Sequence, residues 1–312
     1  MKYAGTRQSP PGDTIGFIMM SLGRSTRISL LTLVIHAALI TFWVKSVSFP
    51  GEPLLSPGSR TLHLSCWILA SDSSSDLHKS DAIRNGWGRF CDSLEFINTT
   101  TPGIRADWND GYEHISEKSF RAWNFVHEKY SSAGYDFFLK ADTDTFILGS
   151  NLRLYLQRFD PLLPHYLGKQ LVKDGVPFVA GTAIILSKGA MNLFSEAVQH
   201  EKGRCTKAAF LNQKQAEDVA MGNCMGDLGV YPHNTRDVIG AERFMVMNPK
   251  VISNITRPLP TWYIDMSFNK KAGELCCSEK AAAFHYTSLD EQLYSLPEQK
   301  NGLWQWRQIK NS

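Results

Sequence analysis

An uncharged and mostly apolar run from Ile28 to Val44 divides this chain and constrains what the rest of it can be. As a helix the run would span roughly 26 Å, which is close to the thickness of a bilayer core. Four of the five basic residues in positions 1–45 precede the run, so the positive-inside bias predicts a cytosolic N-terminus and a lumenal remainder. A cleaved secretory signal is the alternative, although no A-x-A-like cleavage site follows the run.

These boundaries predict four segments: a cytosolic tail at 1–27, a transmembrane signal anchor at 28–44, a stem at 45–60 and a lumenal domain at 61–312. Positions 47–60 contain three Pro and two Gly with little periodicity, as is typical of a stem. A short span suits the thinner membranes of the early secretory pathway. We therefore expect a membrane-anchored, single-pass type II protein of the Golgi.

The charge balance argues against a nucleic-acid partner. The whole chain has a formal net charge of +3, but the basic excess lies in positions 1–45. Positions 46–312 hold 28 basic and 29 acidic side chains, a net charge of −1. Such a balance cannot drive binding to a phosphate backbone.

The cysteine pattern fits an oxidising compartment, because all six cysteines follow the apolar run. The simplest pairing is sequential: Cys66 with Cys91, Cys205 with Cys224, and Cys276 with Cys277. Adjacent cysteines can bond only through a strained eight-membered ring, so separate partners or free buried thiols stay open for the last two. The absence of a C-x-x-C motif disfavours a zinc ribbon. The sequons at Asn98 and Asn254 are candidate glycosylation sites.

Periodicity predicts one continuous α/β domain. In Leu62–Ser71, polar and apolar residues alternate and an apolar run follows, as in a buried strand. A helical stretch through Trp87 comes next. Leu94–Ile97 and Tyr135–Leu139 predict further strands, and apolar spacing predicts a helix over 116–130 with Ser116 as its N-cap. Strands that alternate with helices build sheets that bind ligands at the carboxyl ends of their strands.

Two pairs of carboxylates and one histidine are the candidates for chemistry. Asp142 and Asp144 follow a predicted buried strand and could hold Mg²⁺ or Mn²⁺, or form a solvated loop turn. Glu217 and Asp218 begin a predicted helix, where they could cap it or supply a general base. His285 lies in an apolar stretch, either as a core residue or as a metal ligand with Asp144. The chain contains no G-x-G-x-x-G, Walker A, G-x-S-x-G or H-E-x-x-H motif.

Several stretches together resemble one family, the core 1 β-1,3-galactosyltransferases or T-synthases, relatives of the Fringe-type β-1,3-glycosyltransferases. Order and spacing hold over roughly residues 62–295. The matching stretches are Cys66–Leu69, Lys118–Tyr130, Phe138–Phe146, Ile185–Lys188, Ala216–Cys224, Trp262–Tyr263 and Cys276–Tyr286.

The resemblance implies a GT-A-like, Rossmann-like fold with a mixed sheet flanked by helices, a UDP-galactose donor and Mn²⁺. It also implies inverting transfer of galactose to the 3-hydroxyl of GalNAc α-linked to Ser or Thr of a glycoprotein acceptor, and a possible homodimer. By position, Asp144 and His285 would bind Mn²⁺, Asp142 would face the metal and the donor ribose, and Asp218 would be the catalytic base. The implied donor-binding residues are Asp142, Leu69, Glu113, Lys118 and Gly181, and the implied acceptor-binding residues are Glu217, Trp262, Tyr263 and Tyr286.

The chain departs from the family pattern in a few places. The family's Asp-Asp-Asp is Asp142-Thr143-Asp144 here, and its Gly-Gly-Ala-Gly is Ala180–Ala183. Its Gly-Arg-Asp is Gly111–Glu113, and its Trp before Lys118 is Glu117. Two alternatives remain beside the galactosyltransferase: a catalytically silent paralogue that acts as chaperone or partner of a transferase, and a transferase that uses another UDP-sugar.

Overall fold

The structure, a computed structural model, describes residues 61–104, 111–214, 216–254, 258–268, 276–300 and 303–308. The predicted tail, membrane span and stem lie outside these ranges. Among the described residues, no helix is both long enough and apolar enough to cross a bilayer.

The strands and helices alternate along most of the described chain. The strands are β1 (Leu64–Leu69), β2 (Ser93–Ile97), β3 (Phe137–Asp142), β4 (Phe146–Ile147), β5 (Tyr166–Leu167), β6 (Gln170–Lys173), β7 (Val176–Val179), β8 (Ala183–Ser187), β9 (Ala283–Phe284), β10 (Ser295–Lys300) and β11 (Leu303–Gln308). The helices are α1 (Ser74–Asn85), α2 (Ile115–Tyr130), α3 (Gly149–Leu156), α4 (Lys188–Gln199), α5 (Lys207–Asn212), α6 (Glu217–Asp227), α7 (Pro249–Ile252), α8 (Thr261–Met266) and α9 (Leu289–Tyr294). Two 3₁₀ turns cover Trp87–Phe90 and Tyr112–His114.

The central sheet is mixed, as predicted, with five strands in the order β2-β1-β3-β8-β5. Strand β1 runs parallel to β2 and β3, whereas β8 runs antiparallel to β3 and β5. At one edge Leu69 of β1 pairs with Ile97 of β2 and with Asp142 of β3. Beside them Ala141 pairs with Ala183 at the start of β8. The carboxyl ends of three parallel strands therefore meet the residues that lead into β8.

Helices cover both faces of this sheet, because the strands are apolar on both sides. Along β1, Cys66 and Ile68 belong to a core shared with α1 and α3, while Trp67 and Leu69 belong to a core shared with α2, α4 and α6. In the second core, the rings of Trp67 and Trp123 pack edge to face, with their centroids 5.0 Å apart. Such a pair contributes about 0.5–1.5 kcal/mol beyond the area that it buries.

The start of α2 differs from the sequence prediction. Ser116 is not the N-cap; it lies inside the helix, and its hydroxyl donates to the Lys214 carbonyl. The preceding 3₁₀ turn explains the difference, since its Tyr112 carbonyl already accepts from the N–H of Ile115. The helical stretch predicted to reach Trp87 ends earlier, at Asn85 of α1.

Three disulfides join the cysteines in the sequential pairing. The bonds are Cys66–Cys91, Cys205–Cys224 and Cys276–Cys277. The adjacent cysteines are thus bonded to each other, and neither separate partners nor free thiols occur among the six. The first bond ties β1 to the segment before β2, and the second ties α6 to the loop before α5.

The two sequon asparagines lie on loops outside the sheet. Asn98 follows β2, where its amide donates to Asp72 and its side-chain oxygen accepts from Thr100. Asn254 follows α7 and is partly buried. Their glycosylation stays a prediction.

Candidate active site

A cleft of about 560 Å³ opens at the carboxyl edge of the parallel strands. The end of β1, the turn at Gly111 and the end of β3 form part of its wall. The segment before β8, the start of α6, helix α8 and residues after β9 form further parts of it, with residues of β6 and β7. The fold therefore gathers distant segments around the position where an α/β sheet binds its ligand.

Asp142, Asp144 and His285 form a cluster of metal-ligand type in this cleft. His285 Nε2 lies 3.1 Å from Asp144 Oδ1 and 3.4 Å from Asp142 Oδ2. The three side chains offer ligand atoms within 4.8 Å of one another. Two carboxylates with one imidazole are a donor set suited to a divalent ion such as Mn²⁺.

The pairing of two short strands, β4 and β9, positions this cluster. Strand β9 pairs with β4 in the register Phe284 to Phe146, so the segments that contain His285 and Asp144 lie side by side just beyond the paired residues. The Asp144 carbonyl then accepts from both the N–H and the hydroxyl of Thr287. The aspartate loop and the histidine segment are thus bonded directly to each other.

The charges of the cluster stabilise one another. Burial alone would raise the pKa of Asp142, but Lys140 and His285 outweigh it and lower the pKa to about 2. Burial alone would lower the pKa of His285, but its bonds to Asp142 and Asp144 raise it to about 9. Without a metal ion, the imidazolium proton is therefore shared with the two carboxylates.

Lys140 is a site residue that the sequence analysis missed. It is fully buried, and its Nζ donates to Asp142 Oδ1 at 2.7 Å, to Glu217 Oε1 at 2.6 Å and to the Gly181 carbonyl at 3.1 Å. The two carboxylates raise its pKa well above the usual value despite burial. A lysine in an otherwise apolar strand, two residues before Asp142 and so on the same face, was the available signal.

Glu217 and Asp218 begin α6 and extend the charged network. Glu217 is buried; burial raises its pKa to about 7, against the opposing effect of Lys140. Asp218 is half-buried, and its two oxygens accept from the N–H of Gly181 at 3.2 Å and the N–H of Val219 at 2.8 Å. Burial raises the pKa of Asp218 as well. Its orientation is thus fixed, while it still lines the cleft.

Comparison with known proteins shows what this site is similar to. The chain is 29% identical over 248 residues to the glycoprotein-N-acetylgalactosamine 3-beta-galactosyltransferase 1 of Xenopus laevis. The match covers 76% of this chain and 66% of that relative's length. This chain is therefore similar in sequence to a T-synthase. No protein-family profile matches it.

Solved structures overlap with this chain only weakly. The galactosyltransferase LgtC, in complex with donor and acceptor sugar analogs, gives a TM-score of 0.37 at 11% identity, over 72% of this chain and 86% of that one. A glycosyltransferase involved in glycosylation of the major capsid of PBCV-1 gives 0.28 at 8% identity, over 43% and 66% of the two chains. Overlap at this level does not establish a common fold.

The structure separates the residues that the T-synthase resemblance had grouped as donor-binding. Leu69, Lys118 and Gly181 all line the cleft, and the Lys118 ammonium donates to the Ala70 carbonyl at 2.8 Å. Glu113 does not line it; the carboxylate is largely exposed and lies 3.8 Å from His114. The 3₁₀ turn is the reason, since it directs the preceding Tyr112 to the cleft instead.

The acceptor-side group is divided in the same way. Glu217, Trp262 and Tyr286 line the cleft, although the Glu217 carboxylate is already bonded to Lys140. Tyr263 does not line it; its ring is buried in a separate core, with Lys169 Nζ 5.2 Å from the ring centroid. Adjacent residues on the short helix α8 face different directions, which the motif Trp-Tyr cannot reveal.

Gly181 is the one glycine of the altered glycine-rich stretch, and a side chain there would have to share space with the ends of charged side chains. A Cβ there would lie 3.0 Å from Glu217 Oε1 and 3.5 Å from Lys140 Nζ. The neighbouring Ala180 and Ala183 are both buried. The chain keeps glycine where the backbone approaches the charged groups.

Proposed function

We propose that this chain is an inverting, metal-dependent β-1,3-galactosyltransferase. It transfers galactose from UDP-galactose to the 3-hydroxyl of GalNAc α-linked to Ser or Thr of a glycoprotein. The observation that carries the proposal is the convergence of Asp142, Asp144 and His285 with Asp218 in one cleft. The name of the Xenopus laevis relative supports the choice of substrates.

The cluster of Asp142, Asp144 and His285 fits Mn²⁺ by the chemistry of its donor set. Asp144 and His285 would hold the ion, with Asp142 beside them. When bound, Mn²⁺ supplies positive charge that stabilises the departing diphosphate. Asp142 also faces the donor ribose in this proposal. A GT-A-like arrangement of the sheet is consistent with such a site at its carboxyl edge.

Asp218 acts as the general base. An inverting displacement needs one group that takes the proton of the acceptor hydroxyl, and it forms no covalent intermediate with the enzyme. The backbone N–H groups of Gly181 and Val219 orient the carboxylate, and burial makes it a stronger base than an exposed aspartate. The Lys140 ammonium opposes the effect of burial on the pKa of Asp218, which favours the ionised form that this role requires.

Substrates occupy the two sides of the cleft. Leu69, Lys118 and Gly181 contact the donor, and Trp262 and Tyr286 contact the acceptor, because the exposed aromatic rings suit the apolar faces of a sugar. Glu217 lies on the acceptor side next to the base, where the hydrogen bond from Lys140 holds its carboxylate in place. The enzyme acts in the Golgi lumen as a type II membrane protein, and it forms a homodimer.

Labelled UDP-galactose tests this proposal. The full chain, purified in detergent, is expected to label a GalNAc-bearing peptide in the presence of Mn²⁺, and EDTA is expected to abolish the product by removing the ion that stabilises the diphosphate. A peptide without GalNAc is the control acceptor. Product with a different UDP-sugar only would correct the donor, and consumption of no UDP-sugar would favour the catalytically silent paralogue.

The affinity for Mn²⁺ is expected to rise with pH. The pKa of His285 is about 9 in the metal-free cluster, so below that pH an ion must displace one proton from the imidazole. The apparent dissociation constant should fall about tenfold per pH unit up to pH 9 and then level off. Titration calorimetry in two buffers of different ionisation enthalpy measures the proton released. An affinity that is constant from pH 6 to pH 8 would contradict this protonation state.

A further inference from the structure

Tyr286 has a backbone conformation that its residue type disfavours. Its φ is +55°, in the left-handed region, where a residue with a Cβ and a bulky ring is an outlier. The side chain is 58% exposed, so burial of the ring does not offset the cost. Strained residues persist where the surrounding structure fixes them, and they cluster at functional sites.

The surrounding bonds fix the chain on both sides of Tyr286. Before it, the His285 N–H donates to the Met247 carbonyl at 3.4 Å; after it, the Thr287 N–H donates to the Asp144 carbonyl at 2.9 Å. The Tyr286 carbonyl itself accepts from the Asn248 amide at 3.2 Å. The left-handed residue turns the chain between these anchors, so that it bonds to the aspartate loop directly after His285.

The same conformation stacks the phenol ring on the imidazole. The ring centroids of Tyr286 and His285 are 4.3 Å apart, and their planes differ by 17°. A metal-binding histidine is usually oriented by a hydrogen bond from its second ring nitrogen to a carboxylate or a carbonyl. In the described part of the chain, His285 Nε2 faces the two aspartates and no residue accepts from Nδ1. The stacked ring therefore contacts one face of the imidazole and restricts rotation of its plane.

We propose that Tyr286 is a positioning residue that orients His285 toward Asp142 and Asp144 through its stacked ring and its left-handed backbone. The inference rests on the metal site of the proposed function and adds a role distinct from acceptor contact. An acceptor contact would affect only the binding of the acceptor. A positioning residue affects the binding of the metal ion when no sugar is present.

Three substitutions at one position separate the ring from the backbone. Tyr286→Phe keeps the aromatic ring and the unfavourable left-handed backbone. Tyr286→Gly removes the ring, and glycine adopts the left-handed conformation freely. Tyr286→Ala removes the ring but keeps the energetic cost of a left-handed residue with a Cβ. The probe is Mn²⁺ alone, with free ion followed by electron paramagnetic resonance on the full chain. The thermal midpoint of each metal-free variant is measured in parallel.

We expect Tyr286→Phe to bind Mn²⁺ like the parent chain. Tyr286→Gly and Tyr286→Ala should both bind it about tenfold more weakly, the size of effect typical of a lost orienting partner. Their thermal midpoints should differ, with the Gly variant above the Ala variant. Tyr231→Ala is the matched control, since Tyr231 is also 58% exposed but does not line the cleft, and it should bind Mn²⁺ like the parent.

Parental Mn²⁺ affinity in the Gly variant would overturn the role of the ring. A loss of affinity in the Ala variant alone, together with a lower midpoint, would overturn it too, because the effect would then be one of stability. A parent chain that binds no Mn²⁺ would instead refute the metal site of the proposed function, and the role of Tyr286 with it.

Discussion

Replacement of Asp218 by Asn is expected to reduce galactose transfer by about 10²–10⁴-fold, the contribution typical of a general base. Asn has nearly the same shape as Asp, but it cannot take a proton from the acceptor hydroxyl. Binding of UDP and Mn²⁺ should stay close to parental, because Asp142, Asp144 and His285 are unchanged. Initial rates with labelled UDP-galactose and calorimetric titration with UDP and Mn²⁺ measure the two effects separately.

An exposed aspartate provides the matched control for this variant. Asp81 on α1 is 67% exposed in its ion pair with Arg84 and does not line the cleft, so Asp81→Asn should leave transfer unchanged. Transfer by Asp218→Asn within tenfold of the parent would remove Asp218 from the role of base. Loss of nucleotide and metal binding together with transfer would indicate that the variant disrupts the site rather than the chemistry.

Replacement of Lys140 by Met is expected to destabilise the domain by about 3–5 kcal/mol, the usual result of removing one partner of a buried ion pair. Met fills a similar volume but leaves the buried Glu217 carboxylate without its cation. The double variant Lys140→Met with Glu217→Gln should recover part of the loss, because it leaves no unpaired charge at Glu217. Denaturant unfolding of the full chain with its disulfides intact measures the free energies.

The loss in Lys140→Met should grow as the pH rises. The pKa of Glu217 is already raised to about 7 from 4.5, and removal of the ammonium raises it further. A carboxyl whose folded-state pKa is raised stabilises the fold below its unfolded pKa, and that contribution is lost as the pH rises through the folded value. The variant should therefore be closest to the parent near pH 5 and furthest from it above pH 7.

Lys169 gives a control for the general effect of a buried lysine. It is 1% exposed and pairs with Glu242 at 2.6 Å, outside the residues that line the cleft. Lys169→Met should cost a similar free energy of unfolding, and Glu217→Gln should not rescue it. A loss below about 1 kcal/mol in Lys140→Met, which is the range of surface pairs, would contradict the account of the buried network.

Much of the framework could be predicted from the sequence because its signals are local. The apolar runs of β1 and β3 and the spacing of α2 follow from periodicity. The position of Asp142 and Asp144 at a ligand-binding edge follows from their place after a buried strand. For His285 the residues alone left a core position and a metal ligand open, and only the resemblance favoured the ligand. The pairing of β4 with β9, which brings His285 close, involves only two residues on each side.

The parts that could not be predicted depend on contacts between distant segments. The apolar run of β8 reads the same for a parallel and an antiparallel strand, so its direction required the three-dimensional structure. Lys140 follows the predicted strand Tyr135–Leu139, and its partner Glu217 comes from the distant helix α6. The left-handed backbone of Tyr286 has no glycine or asparagine to indicate it.

The central claim is that Asp142, Asp144 and His285 bind a metal ion beside a nucleotide diphosphate, within reach of Asp218. A crystal structure of the protein with UDP and Mn²⁺, with anomalous diffraction data at the manganese edge, tests it most directly. The account predicts one strong anomalous peak coordinated by Asp144, His285 and the diphosphate. A structure with bound nucleotide would contradict the account if the manganese peak lay at other side chains or if no manganese peak lay at this cluster.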